Sequence, residues 1–221
     1  LARVRHNMPY FVASKAVWNY DLALNIPESV LSSYYSQYTQ AKTAQTNLGP
    51  MANLLMTPAF PTTGARDEIG PLPRWTAMYL VSQDERMKEI MLAHAEAAAS
   101  VPVHYRDEAS GRPLDLDRQP TVSTLLGISQ PALPTLVNGS TIWLPDTAHQ
   151  GSFAYVPYLV TGDAFHQDEM AFWAAWNLTA MNPYYRDSGK GLLWEDQVRG
   201  QAWTMRALGE ASRVLPDNHA M

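Results

Sequence analysis

The sequence predicts an all-α protein built from antiparallel helical hairpins, with a small β-hairpin inserted between two of them. Two observations carry this prediction. The hexapeptide Tyr-Leu-Val-Ser-Gln-Asp at residues 79–84 recurs 79 residues later, as Tyr-Leu-Val-Thr-Gly-Asp at residues 158–163. Such self-similarity at a fixed period indicates stacked supersecondary units. The segments beside each copy also carry apolar residues at the spacing of an amphipathic helix.

The first third of the chain is predicted to be irregular with one helix. Pro27 and Glu28 suit a first helical turn, since proline fits there and an acid complements the positive end of the helix dipole. Apolar side chains then follow at helical spacing: Val30, Leu31, Tyr34, Tyr35 and Tyr38. Residues 43–73 are rich in Thr, Pro, Gly and Asn, which favours loop. We expect residues 1–221 to form one helical-hairpin domain of a larger protein, with repeat units from residue 74 onward.

The first repeat unit begins near Arg74 with a short helix that leads into a longer one. Ser82 and Glu85 match a capping box, which predicts Ser82 as the N-cap of the longer helix. The apolar face of this helix is regular, with Met87, Ile90, Met91, His94, Ala95 and Ala98. The helix is predicted to end before Pro102, because a residue that precedes proline avoids helical geometry.

A long insertion at 105–147 separates the first unit from the second. Within it, residues 136–143 carry Asn-Gly at their centre and predict the β-hairpin. The second unit is predicted as a helix near 148–160, a turn, and a helix near 164–180 with Asp163 as N-cap. A third unit is predicted as a helix over about 194–213, because residues 203–208 resemble residues 75–80. Its apolar face predicts a covering partner, either a further chain segment or a second subunit.

The composition excludes several classes of function. The net charge is −5 and no Lys/Arg cluster offsets it, which argues against a nucleic-acid partner. The absence of cysteine excludes disulfides and Cys-based metal sites. Apolar runs are too short to span a membrane. Because the chain also lacks paired-His metal motifs and a phosphate-binding glycine loop, we predict neither a metal nor a cofactor.

The repeated motifs resemble those of the (α/α) toroid proteins of six-hairpin glycosidase-like architecture. The resemblance lies in residues 148–150, 158–163, 173–176 and 197–203, and covers about residues 66–215. That class includes glycoside hydrolases, polysaccharide lyases and uncharacterised bacterial proteins. The resemblance therefore implies a carbohydrate-active protein whose partner is an oligo- or polysaccharide. The predicted hairpins account for only part of the six in a complete toroid.

Three carboxylates occupy equivalent positions just before the first helix of each unit, namely Asp67, Asp146 and Glu195. In a stacked array they would lie on one rim. Glycoside hydrolysis uses a pair of carboxylates, one as acid and the other as base or nucleophile, so these three are candidate catalytic residues. His149, close to Asp146, is a candidate general base. The alternative for His149 is a structural histidine that hydrogen-bonds the backbone near the start of the helix. The alternative interpretation is that the acids cap helix ends.

Further polar and aromatic side chains around these positions are candidates for substrate binding: Arg66, Glu68, Trp75, Trp143, Gln150, Tyr155 and Trp194. The aromatic rings would form sugar platforms, and Arg66 would hold a substrate carboxylate. The alternative for Arg66 is an ion pair that pins its loop. For the whole protein, the alternative is a non-catalytic helical-repeat module that binds a partner or has a structural role.

Other polar residues are predicted to be structural. Asp84 and Asp163 lie in the turns between paired helices and are predicted to have a structural capping role. His94 falls on an apolar helix face, which indicates a core histidine. The triplet Tyr-Arg-Asp occurs at 105–107 and 185–187, after the second helix of each unit, and predicts a repeated structural clamp.

Overall fold

A computed structural model describes residues 4–62, 64–125, 133, 141–190 and 197–219. Within these ranges the secondary structure is helical apart from isolated β-bridges, which confirms the all-α prediction. The α-helices are α1 (Met8–Ala13), α2 (Glu28–Ala44), α3 (Arg74–Ser82), α4 (Glu85–Ala98), α5 (Tyr155–Thr161), α6 (Ala164–Thr179) and α7 (Val198–Val214). Two 3-10 helices lie at Thr46–Met51 and Thr147–His149. None of these helices combines the length and apolar character needed to cross a membrane.

The sequence repeat corresponds to a repeated turn between paired helices. Helices α3 and α4 form one hairpin, and α5 and α6 form another. The residue after the first helix of each hairpin is left-handed, with φ of 52° at Gln83 and 69° at Gly162. The aspartate that follows is the N-cap of the second helix. The carboxylate of Asp84 accepts the backbone N–H of Arg86, and that of Asp163 accepts the backbone N–H of Phe165, both at 2.9 Å.

The predicted N-cap at Ser82 is wrong, since Ser82 is the last residue of α3. Its hydroxyl donates to the carbonyl of Met78 at 2.7 Å and accepts the N–H of Asp84 at 3.1 Å. The left-handed residue at 83 reverses the chain and leaves Asp84 extended, with φ −74° and ψ 127°. An N-cap residue requires this non-helical geometry, so the cap falls two residues later than the capping-box pattern indicates.

The core lies between the two hairpins and the helices beside them. The six predicted apolar-face residues of α4 are all buried, including His94. Helix α6 packs against α5 and α7 and is buried over eleven of its sixteen residues, which makes it the central helix. Phe60, from the loop before α3, stacks on Trp173 of α6 with ring centroids 6.4 Å apart. This contact brings that loop against the second hairpin.

The second unit begins later than predicted. Instead of a helix over 148–160, the chain forms the 3-10 helix Thr147–His149, an extended segment, and then α5 from Tyr155. Starting α5 at residue 155 places Pro157 in the first turn, where its missing N–H is not needed. In the extended segment, a side chain at Gly151 would come within 2.5 Å of the carbonyl oxygen of Glu68. The close approach of these two loops therefore requires glycine.

The remaining elements agree with the sequence to different degrees. Helix α2 begins at Glu28, and α7 covers most of the third predicted helix, although residues 191–196 lie outside the described ranges. The structure adds α1 and the 3-10 helix Thr46–Met51 to the region predicted to be mostly irregular. The predicted β-hairpin falls mainly on residues 136–140, which also lie outside the described ranges.

The arginines of the two Tyr-Arg-Asp triplets differ in their burial and in the number of backbone carbonyls that they bind. Arg186 is fully buried, and its guanidinium donates to the carbonyl oxygens of Leu178, Pro120, Ser188 and Val122. Arg106 is exposed and donates to the carbonyl of Gly111 at 2.8 Å while lying above the Phe172 ring. Both arginines therefore hold loops in place, but only Arg186 is part of the interior.

Candidate functional site

The candidate site lies where three segments meet: the loop before α3, the segment around Thr147–His149, and the first turn of α7. Five charged or titratable side chains gather there, and we call them the site cluster: Arg66, Glu68, Asp146, His149 and Arg199. The site cluster combines four of the predicted site residues with one arginine that the sequence analysis did not single out.

His149 lies between a carboxylate and a guanidinium group. Its Nδ1 atom is in close contact with the carboxylate of Asp146, and its Nε2 atom lies 2.8 Å from Nη2 of Arg199. An arginine can only donate, so Nε2 of His149 must accept and the ring proton must be on Nδ1, facing Asp146. The imidazole is therefore neutral, with its lone pair on the side of Arg199. The His149 side chain is 9% exposed and that of Asp146 is 26% exposed.

Arg199 reaches His149 because residue 64 is glycine. A Cβ atom at Gly64 would lie 2.0 Å from Nη1 of Arg199, so any side chain there would displace the guanidinium. The Nη2 atom also donates to Oε1 of Gln197 at 3.1 Å. The Nε–H group is enclosed and has no hydrogen-bond partner within the described part of the chain. Arg199 thus retains a donor next to the histidine lone pair.

Arg66 and Glu68 form a buried ion pair. Nε of Arg66 lies 3.3 Å from Oε1 of Glu68, and the two side chains are 6% and 2% exposed. Arg66 also donates to the carbonyl oxygens of Phe60 at 3.0 Å and His149 at 3.4 Å. Burial lowers the pKa of Arg66, and the carboxylates of Glu68 and Asp146 oppose that shift. The arginine therefore pins its own loop to the backbone beside His149, as the alternative interpretation described.

Asp67 has different partners from the other predicted acids. It accepts the hydroxyl of Tyr34 at 3.0 Å and pairs with Arg74 at 3.4 Å, and its side chain is 41% exposed. These contacts link α2 to the start of α3. Neither Asp67 nor Asp146 caps a helix through its side chain, since neither α3 nor the 3-10 helix Thr147–His149 has a side-chain cap hydrogen bond. Glu195 and Trp194 lie outside the described residues.

The three described aromatic candidates belong to the core. Trp75 is 1% exposed and stacks on His94 with ring centroids 4.1 Å apart. Trp143 is 2% exposed and meets Phe60 edge-on. Tyr155 is buried and its hydroxyl donates to the carbonyl of Ala16 at 2.6 Å. Because the three rings are covered by the core, they do not form the sugar platforms expected from the sequence. Their burial stabilises the fold instead.

Gln150 fixes the segment after His149 through a buried polar network. Its amide oxygen accepts Nδ2 of Asn177 at 2.9 Å, and its amide nitrogen donates to Oδ1 of the same residue. The hydroxyl of Thr204 donates to that Oδ1 atom at 3.0 Å. The network joins the segment after His149 to α6 and α7. Gln150 is therefore a positioning residue without contact to open space.

Sequence reasoning missed Arg199 as a site residue, although residues 197–203 were among the motifs that carry the family resemblance. Its role depends on contacts to Gly64 and His149, which are distant in sequence. Tyr34 and Arg74 were missed for the same reason.

The fold and the site cluster together define an all-α protein of helical hairpins with a histidine held between an acid and an arginine. Comparisons with protein-family models, with curated proteins and with solved structures find no match for this chain. Among the described residues, no group of three or more His, Asp or Glu side chains is arranged to hold a metal ion.

Proposed function

We propose that this chain is carbohydrate-active and that the site cluster is its reaction centre. Of the two chemistries that the toroid resemblance implies, elimination from an acidic glycan has more support than hydrolysis. The observation that carries the proposal is the arrangement of His149, with Asp146 at Nδ1 and Arg199 at Nε2. Elimination next to a substrate carboxylate requires a base that removes the proton and a cation that stabilises the negative charge that develops. His149, oriented by Asp146, would be the base, and Arg199 would be the cation.

In this mechanism, Arg199 binds the carboxylate of a uronate sugar and leaves Nε2 of His149 free. The Nε–H of Arg199 is enclosed while the guanidinium lies against His149, so it becomes one of the donors for a two-point contact with that carboxylate only when the guanidinium moves. His149 removes the proton from the carbon next to the carboxylate, and the negative charge that develops is stabilised by the guanidinium. The carbon–oxygen bond of the glycosidic link then breaks, a carbon–carbon double bond forms, and the imidazolium returns its proton to the leaving oxygen. Asp146 stabilises the imidazolium in the interval.

Hydrolysis by two carboxylates has less support. It requires one acid to protonate the leaving oxygen and a second carboxylate on the opposite side of the sugar. Of the described candidates, Asp67 is held by Tyr34 and Arg74, while Asp146 is held by His149. Each carboxylate therefore has an internal partner to lose before it can act on a substrate.

The rival is a non-catalytic helical module, and one observation favours it. Both ring nitrogens of His149 have partners inside the protein, as a purely structural histidine would. On this hypothesis the site cluster only joins three segments, and its variants lose stability without loss of any activity.

The test compares the wild type with His149→Gln and Asp146→Asn on a panel of uronate-containing and neutral polysaccharides. Elimination predicts release of products with ultraviolet absorbance from the new double bond, and a loss of roughly 10²–10⁴-fold in each variant. The matched control is His104→Gln, because His104 pairs with Glu169 at 2.9 Å outside the site cluster. New reducing ends without the absorbance would indicate hydrolysis instead. No cleavage of any polysaccharide, with normal folding, would favour the non-catalytic module.

A further inference from the structure

Helix α7 carries two arginines, Arg199 and Arg206, that are seven residues apart. Since an α-helix has about 3.6 residues per turn, this spacing brings both side chains to the same face of α7. The proposed mechanism uses Arg199 and leaves Arg206 without a role. The guanidinium of Arg206 lies over the Trp203 ring, with its carbon 4.9 Å from the centroid.

Both arginines contact the same two stretches of the chain, residues 64–70 and residues 149–152, which we call the first and second site segments. Arg199 lies against Gly64 in the first site segment. It also lies against the ring of His149 in the second. The contact proposed to matter for the chemistry therefore depends on how the two site segments are held against α7.

The contacts of Arg206 are to the backbone of both site segments. One guanidinium nitrogen donates to the carbonyl oxygen of Gly70, and the other donates to the carbonyl oxygen of Gln150 at 3.2 Å. Gly70 lies two residues after Glu68, and Gln150 directly follows His149. A single side chain thus holds the backbone beside two members of the site cluster.

The second site segment meets α7 at three points. The hydroxyl of Ser152 donates to the carboxylate of Glu210 at 2.8 and 2.9 Å. The contacts made by residues 149, 150 and 152 therefore follow in order along the helix, to Arg199, Arg206 and Glu210. Arg206 is the member of this series that also hydrogen-bonds the first site segment.

Arg66 links the two site segments as well, through a hydrogen bond of 3.4 Å to the carbonyl oxygen of His149. Because Arg66 itself lies in the first site segment, this link fixes one loop against another. Arg206 lies on a helix of 17 residues and fixes both segments against a regular element, which holds a site more precisely than a loop does.

We propose that Arg206 is a positioning residue of the site cluster, which holds the two site segments at the separation at which His149 meets Arg199. Without its two hydrogen bonds, the segments lose their shared attachment to α7 and the ring of His149 can turn away from Arg199. A misplacement of about 1 Å at a reacting centre can cost about a hundredfold in rate. The effect on catalysis rests on the proposed function, whereas the effect on the contact between the two side chains does not.

The first test follows the ring nitrogens of His149 by nitrogen-15 NMR, with the signals assigned through His149→Gln. In the wild type we expect a single tautomer with the proton on Nδ1, because Arg199 can only donate to Nε2. In Arg206→Gln both signals should shift towards a mixture of the two tautomers. Arg206→Lys keeps the positive charge but lacks the planar fork that spans the two carbonyls, and should shift the same signals.

Arg186→Met is the matched control, because Arg186 is also a buried arginine that donates to backbone carbonyls, and those carbonyls lie outside the site segments. The control should lower stability and leave the His149 signals at their wild-type positions. Unchanged His149 signals in both Arg206 variants would overturn the proposal. Equal shifts in the control would also overturn it, because they would reduce Arg206 to a general structural role.

The second test measures kcat and KM on the polysaccharide that the wild type cleaves, at a temperature at which every variant is folded. Arg206→Gln should lower kcat by roughly ten- to hundredfold. KM should change by less than about threefold, because Arg199, the proposed substrate-binding group, lies on α7 itself. Full kcat with a raised KM would contradict a positioning role.

The two tests separate failure of this proposal from failure of the proposed function. Shifted His149 signals in a protein that cleaves no polysaccharide would count against the proposed function and support the positioning of His149 by Arg206. Cleavage by the wild type, with His149 signals and kcat unchanged in both Arg206 variants, would count against the positioning role alone.

Discussion

Nη2 of Arg199 lies 2.8 Å from Nε2 of His149, and this contact joins the first turn of α7 to the segment before α5. It fixes the tautomer of the histidine, because a guanidinium group cannot accept a hydrogen bond. It also covers the lone pair that a general base would use. A substrate anion therefore has to draw Arg199 away from His149 before the histidine can act as a base.

Replacement of Arg199 by Gln is expected to lower glycan cleavage by roughly 10²–10³-fold, the usual cost of losing one donor aimed at developing charge. Stability should change by only about 1 kcal/mol, because the described partners of Arg199 are a histidine nitrogen and an amide oxygen, not a carboxylate. Steady-state cleavage assays and denaturant unfolding measure the two effects. Full activity in the variant would remove Arg199 from the mechanism.

Substitution of Gly64 by Ala tests the same contact from the opposite side. The new methyl group would occupy the position of Nη1 of Arg199 and displace the guanidinium from His149. We expect a loss of activity comparable to that of Arg199→Gln, with altered NMR signals from the His149 ring. Gly209→Ala is the matched control, since a Cβ there meets nothing within 4 Å. In the middle of α7 that control should be neutral or stabilise the protein by up to about 1 kcal/mol.

The buried arginine of the second Tyr-Arg-Asp triplet is predicted to be important for stability. Arg186→Met leaves four backbone carbonyls without their donor and should reduce the free energy of unfolding by about 3 kcal/mol. The corresponding change at exposed Arg106, which holds one carbonyl, should cost no more than about 1 kcal/mol. Equal losses of unfolding free energy in the two variants would contradict the prediction that the buried arginine matters more. Denaturant unfolding provides the comparison.

The two hairpin turns offer a matched pair of cap variants. Asp163→Ala removes the side-chain cap of α6 and should cost about 1 kcal/mol. Asp84→Ala should cost more, because Asp84 also pairs with Arg86 at 2.7 Å. Asp168→Ala, at an exposed position within α6, should change stability by less than about 0.5 kcal/mol. Thermal and denaturant unfolding would show whether the expected order of the three variants holds.

The buried, neutral ring of His94 is expected to reduce the stability of the folded protein in acid. Nδ1 of His94 contacts the carbonyl oxygen of Ile90 at 2.7 Å, and Nε2 accepts the N–H of Leu55 at 3.1 Å, so the ring is neutral. Burial lowers its pKa to about 4. The unfolded state therefore binds the proton more readily, and up to about 3 kcal/mol of stability is lost as the pH falls from about 6.5 through 4.

The corresponding measurement is denaturant unfolding of His94→Gln over the same pH range. The variant should be less stable at neutral pH, because it loses the stacking on Trp75. It should also show a shallower decline of stability in acid. The same slope in variant and wild type would show that other groups cause the acid effect, and His104→Gln is the matched control.

The helical hairpins could be predicted from sequence because their signals are local. A left-handed residue followed by Asp, and apolar residues at helical spacing, act over a single turn and are independent of the rest of the fold. The Ser82 prediction failed because a capping box does not specify which residue reverses the chain. The helix expected over 148–160 failed because Gly151 has to approach the backbone of Glu68, a contact between loops far apart in sequence.

The candidate site could be predicted only in part. Arg66, Glu68, Asp146 and His149 were singled out because they precede helices, and the structure brings these four together. The same argument included Asp67, which has different partners, Tyr34 and Arg74. The tryptophans beside these positions were expected to be open platforms, but they fill the core, since a sequence does not show which side of an aromatic ring will be covered.

The sequence by itself determined that this protein is helical, where its paired helices turn, and which aspartates cap them, because hydrogen bonds within one turn decide those features. Only the tertiary structure decided that Arg199 lies against His149, that Gly64 leaves room for it, and that Arg206 donates to the backbone carbonyls of Gly70 and Gln150 in the two loops of the site cluster. Those relations depend on how α7 packs on α6 and on the 3-10 helix Thr147–His149. Packing of this kind is set by the shape and burial of the whole core, which no local pattern contains.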